Sequence, residues 1–120
     1  MKAFSIKQPW ASLIDSGEKT VEVRSWTTKY RGPLLICSGA SPMRGFAWKS
    51  PALLGKALCV VELLDVVPFD REQHGKACCI PEDMLHMVEG QFAWILGEVR
   101  EIEPFPVKGQ LGIFELPGEF

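Results

Sequence analysis

Two long apolar runs, Gly55–Pro68 and Gln91–Ile102, limit what this chain can become. Both are rich in β-branched or aromatic residues and both are long for a strand. Nothing between or around them has the length and three-to-four-residue periodicity of a long helix. Long strands without long crossover helices pair as an antiparallel or mixed sheet. The first run is expected to bend near Asp65, and Gly97 marks a bulge in the second. Pro104 and Pro106 are expected to end that second strand, because proline brings no N–H to a ladder.

Shorter elements complete the reading. Ala3–Ile6 is a strand. Pro9 suits a first helical turn, and Trp10, Leu13 and Ile14 then recur on one face of a two-turn helix closed by Gly17. Thr20–Arg24 alternates, with Val21 and Val23 facing one way. Pro33–Ser38 is a buried strand, Gly39–Pro51 a loop and Phe69–Cys79 a polar loop. Ile80–Val88 reads as a short helix with Pro81 in its first turn and Glu82 and Asp83 near its positive end. Ile113–Leu116 is a last strand. The sum is one α+β domain over residues 1–120, mainly β. About six strands close into a small barrel with one or two short helices, since closure removes exposed edges.

A chain of 120 residues can bury one core without disulfides or metal. The longest apolar run, Ala57–Leu64, is broken by Glu62 and has strand length, so no membrane partner is expected. The first residues lack the apolar stretch of a signal peptide, and the chain reads as cytoplasmic. Cys37 and Cys59 lie in apolar runs as small core residues. Cys78 and Cys79 are adjacent, no C-x-x-C occurs, and neither His74 nor His86 stands at a zinc spacing. No metal and no cofactor are expected. The net charge of −2 hides an imbalance: residues 1–50 carry +5 and residues 51–120 carry −7. The acidic total argues against a protein that coats DNA broadly, while the basic half permits a focused site for a phosphate-bearing ligand.

The densest polar signal is Gly17-Glu-Lys19-Thr-Val-Glu22-Val-Arg24. Glu22 and Arg24 leave one strand face roughly 7 Å apart. Pairing there would hold the Arg fork for a planar partner. Lys19, in the turn, is free to swing to the same side. The plain alternative is an exposed strand face with surface ion pairs worth about 0–1 kcal/mol each. Trp26, Tyr30 and Trp10 lie near in sequence, and aromatic faces beside Lys and Arg suit base stacking. Trp26 is expected at the site and Trp10 mainly in the core.

A G-x-K-x-x-E-x-R segment after Pro9-Trp-Ala-Ser-Leu-Ile14 resembles the ASCH family of the PUA-like superfamily, closest to its coactivator-type branch. Supporting segments are Ser5–Ile14, Gly17–Trp26, Arg31-Gly-Pro-Leu-Leu35, Gly55–Asp65, Phe92–Leu96 and Pro106–Gly109. The resemblance implies a small PUA-like β-barrel whose cleft is lined by Lys19, Glu22 and Arg24. It also implies binding of RNA, another nucleic acid or a nucleotide, with DNA admitted and no protein partner singled out. The ligand-binding candidates are then Lys7, Gln8, Trp10, Lys19, Glu22, Arg24, Trp26, Tyr30, Arg31 and Lys108. Some relatives are hydrolases of RNA or of an acylated cytidine nucleoside. For that alternative the catalytic candidates are Lys19, Glu22 and Tyr30. The amidohydrolase branch carries Thr where this chain has Glu22, which removes the hydroxyl that branch would use.

Overall fold

The computed structural model describes residues 1–46, 48 and 50–120. In chain order the strands are β1 (Lys2–Ile6), β2 (Val21–Arg24), β3 (Gly32–Ser38), β4 (Lys56–Pro68), β5 (Phe92–Pro106) and β6 (Ile113–Glu115). Helix α1 (Trp10–Asp15) follows β1, and a one-turn helix α2 (Arg71–His74) follows β4. Two 3-10 segments, Pro51–Leu53 and Glu82–Val88, complete the elements.

All six strands form one sheet in the order β2-β5-β4-β3-β1-β6. Only β1 and β3 run parallel, and the other neighbours are antiparallel. The chain thus has the mainly β, mixed-sheet fold that its long strands imply. The sheet curls as a half-barrel, with β2 and β6 at its two edges. The register explains part of the bending. Between Val61↔Val99 and Leu63↔Leu96, β4 advances two residues and β5 three, so the extra residue falls at Gly97–Glu98. Between Leu63↔Leu96 and Asp65↔Ile95 the extra residue is on β4, beside Asp65. Each bulge adds local twist.

Side chains of alternating strand positions fill the interior. Phe4, Ile6, Leu34, Ile36, Val61, Leu63, Trp94 and Leu96 form the main cluster, and α1 closes it with Ala11 and Ile14. Trp94 is wholly buried at its centre, and its indole N–H donates to the Trp26 carbonyl at 3.2 Å. Residues of opposite parity on β3, Leu35 and Cys37, join Ala3, Val60 and Phe114 on the other face. Burial of β3 on both faces accounts for its unbroken apolar sequence.

Three local expectations need correction. Phe69–Cys79 is not all loop: it holds α2, where buried His74 accepts the Asp70 N–H on Nδ1 at 2.9 Å. The Ile80–Val88 helix is a 3-10 segment anchored by buried Leu85. Strand β5 runs through Pro104 to Pro106. There β5 advances four residues, Glu101 to Phe105, while β4 advances two, Cys59 to Ala57. That irregularity accommodates Pro104 without a ladder N–H.

Candidate functional site: an ion triad in a half-barrel cleft

The site begins where α1 ends. Gly17 takes φ +86°, a left-handed conformation that costs glycine little, and its N–H closes the helix on the Ile14 carbonyl. The chain then doubles back, with the Lys19 N–H donating to the Leu13 carbonyl at 2.9 Å. Thr20 and Val21 both donate to the Ala77 carbonyl, so the segment after α2 covers the entry to edge strand β2. This double anchorage turns the Lys19 side chain inward.

Lys19, Glu22 and Arg24 converge. Lys19 Nζ donates to the Cys78 carbonyl and stands 3.3 Å from Glu22 Oε1. Arg24 brings Nε and Nη2 to Glu22 Oε2, each at 3.0 Å. The Lys19 and Glu22 side chains keep only 1% and 7% of their exposure, while Arg24 keeps 30%. Both Glu22 oxygens are therefore engaged, and the carboxylate acts as an internal bridge between two cations. Phe4 lies under the guanidinium, with Arg24 Cζ 4.6 Å from the ring centroid. The Trp10 ring lies 5.1 Å from Lys19 Nζ. Both contacts are cation–π arrangements.

The triad borders a cleft of about 840 Å³. Ser5, Lys7 and Trp10 line it from the first β-α unit, and Gly39, Ala40 and Met43 from the loop after β3. Ile80, Met84, Met87 and Val88 give an apolar wall, and Val107 to Leu111 give a mixed one. Among the described residues four that line it are cationic, Lys7, Lys19, Arg24 and Lys108, against one acid, Glu22. Most of the lining is nevertheless apolar, so the cleft suits a ligand with a flat or greasy body and an anionic group.

Of the candidates from sequence, Lys7, Trp10, Lys19, Glu22, Arg24 and Lys108 line this cleft. The other four lie elsewhere. Gln8 is fully buried and caps α1: Oε1 accepts the Ser12 N–H at 2.9 Å and Nε2 donates to Ser12 Oγ at 2.8 Å. Trp26 packs edge-on against Phe4 and Trp94, at centroid distances of 5.8 and 4.8 Å. Tyr30 donates its hydroxyl to the Pro33 carbonyl and packs on the main core. Arg31 binds the Thr28 and Tyr30 carbonyls and Asp65. Both tryptophans pack on the main core, but it is Trp10, half-buried, that also lines the cleft, where its indole N–H points to Met43 Sδ at 2.8 Å. The walls at 80–88 and 107–111 were not anticipated beyond Lys108.

Other titratable groups lie outside the cleft. Burial pushes the Cys37 thiol up to about 12 and raises Cys59 as well. Burial, then the neighbouring Glu101 carboxyl, raises Asp15 to about 6. Asp15 Oδ1 is itself buried without a hydrogen-bond partner among the described residues. Among those residues, no three His, Cys, Asp or Glu side chains group as metal ligands.

Fold and site together define a curled six-stranded half-barrel domain with a buried ion triad flooring a cation-rich cleft. The chain belongs to the ASCH domain family, whose model matches residues 4–106. Crystal structures of the ASCH protein from Zymomonas mobilis share the fold. The parent protein superposes with a TM-score of 0.66 at 18% identity, covering 88% of this chain and 72% of that one. A serine-to-alanine variant of it gives 0.66 at 20% identity, covering 88% and 73%. Human activating signal cointegrator 1 is 56% identical over 37 residues, which is 31% of this chain and 6% of the human protein.

Proposed function

We propose that this chain holds a nucleic acid, RNA foremost, or a nucleotide in the cleft beside α1. The observation that carries the reading is the placement of Lys7, Arg24 and Lys108 around a largely apolar hollow whose one acid is already neutralised from within. Glu22 spends Oε1 on Lys19 and Oε2 on Arg24, so its part is to orient cations rather than to read a base. Arg24 commits Nε and Nη2 to Glu22, which leaves Nη1 free for a phosphate or a base edge. Trp10 and the half-buried side chains of the apolar wall, Ile80, Met84 and Val88, supply surfaces for the base. Family membership supports the same reading.

Hydrolysis of RNA or of an acylated cytidine has less support. Tyr30 is spent on Pro33 outside the cleft, and Lys19 is committed to Cys78 and Glu22. We also infer a cytoplasmic setting from four unbridged cysteines. No helix among the described residues is long and apolar enough to cross a membrane.

The test is RNA binding by the purified chain and by Arg24→Ala across a salt series. The substitution is expected to weaken binding about tenfold or more. Affinity should also fall steadily as salt rises from about 50 to 200 mM. Binding indifferent to both changes would refute the reading.

A further inference from the structure

Among the described residues three large apolar ones stand out as exposed: Leu64 at 54%, Met87 at 60% and Leu111 at 99%. Single exposed leucines are ordinary on a protein surface. Here two of the three, Met87 and Leu111, line the same cleft and come from segments far apart in the chain. Neither side chain serves the core. The loop that carries Leu111 is nevertheless well seated. Val107 N–H donates to the Gly55 carbonyl at 2.9 Å. Gly109 lies so close to β1 that an added Cβ would stand 2.8 Å from Ser5 Oγ. The loop is held while its leucine is left in water at the rim of a charged hollow.

The cleft, about 840 Å³, has the capacity of a small-ligand site, enough for a base with its phosphate but not for a duplex. A strand delivering one nucleotide to it must leave over the rim on both sides. Lys7 and Lys108 are exposed there, where backbone phosphates would pass. Apolar side chains such as leucine and methionine pack against base faces when bases are unstacked. Methionine adapts its shape to whichever base it meets.

We propose that the occupant of the cleft is one nucleotide within a single strand, and that Met87 and Leu111 pack against the bases flanking it. The inference rests on the nucleic-acid reading above and narrows it from any nucleotide to a single-stranded polymer.

The experiment compares the intact chain with the Met87→Ser/Leu111→Ser double variant. The probes are the four nucleoside monophosphates, random-sequence single-stranded heptamers of RNA and of DNA, and a heptamer duplex, followed by calorimetry. Both substituted side chains are exposed, so the variant should keep its fold, which circular dichroism checks. The native chain is expected to bind a single-stranded heptamer at least about tenfold more tightly than a monophosphate or the duplex. The variant should lose about tenfold for the heptamer and nothing for the monophosphates. The RNA and DNA arms identify the backbone, and preference for either supports the proposal. Unchanged heptamer affinity in the variant, or an equal loss for monophosphates, overturns it and leaves the broader reading standing. Absence of binding to every probe by the native chain overturns both.

Discussion

Replacing Glu22 with Gln separates what the ion triad does for stability from what it does for a ligand. The change keeps the shape of the side chain and removes its charge. Lys19, with 1% of its side chain exposed, is then left with the Cys78 carbonyl and no counter-charge. Breaking a buried pair by removing one partner costs about 3–5 kcal/mol, because the remaining charge is stranded. Glu22→Gln is therefore expected to destabilise the fold by about that amount. Adding Lys19→Met removes the stranded ammonium and fills its space with a side chain of similar length. Its own cost is the orphaned Cys78 carbonyl, about 1–3 kcal/mol. The double variant should thus recover part of the loss and stand above Glu22→Gln alone. Urea unfolding followed by tryptophan fluorescence reads both, since Trp94 and Trp26 pack together in the core. Nucleic-acid affinity should fall in the double variant despite recovered stability, because Arg24 loses its charged anchor. A double variant less stable than Glu22→Gln would refute the claim that Glu22 neutralises Lys19.

Two further changes probe the charges around the site. Asp15→Asn is expected to stabilise the chain at pH 7 and not at pH 4. The fold raises Asp15 from 3.8 to about 6, so it favours the protonated form. That contribution is whole below the unfolded value and lost as pH rises through about 6, leaving an ionised Asp15 beside Glu101. Because the carboxyl is partly open to solvent, the gain is about 1 kcal/mol, measured by urea unfolding at the two pH values. Equal effects at pH 4 and 7 would contradict it. Lys108→Ala should reduce the slope of log affinity against log salt for single-stranded RNA by about 0.7, the value for one lost phosphate contact. An unchanged slope would remove Lys108 from the phosphate path.

The triad was legible in the sequence because a strand repeats every two residues. Glu22 and Arg24 had to share a face, and a lysine just beyond a glycine turn was free to join them. The walls of the cleft were not legible in this way. Ile80 to Val88 and Val107 to Leu111 reach the site through sheet topology, which no local pattern announces. That Trp10 and not Trp26 reaches the cleft has a local cause. Periodicity assigns a residue to a helix face, but Trp10 opens a helix of only six residues and projects at its end, where the cleft lies. Trp26, in a polar loop, is drawn into the core by the Trp94 indole bonded to its carbonyl. Helix α2 leaves no signal in the sequence because four polar residues carry no apolar period. Gln8 neighbours the site in sequence, but its amide serves Ser12 on the first turn of α1.

Val107 to Leu111 form one side of the cleft lining, while the ion triad draws its partners from β1, α1, β2 and Cys78. Part of the cleft surface thus sits on a short stretch propped against Ser5, apart from the salt-bridged floor. A different five-residue stretch grafted there would reshape that side of the hollow, since the salt-bridged foundation below would not have to move.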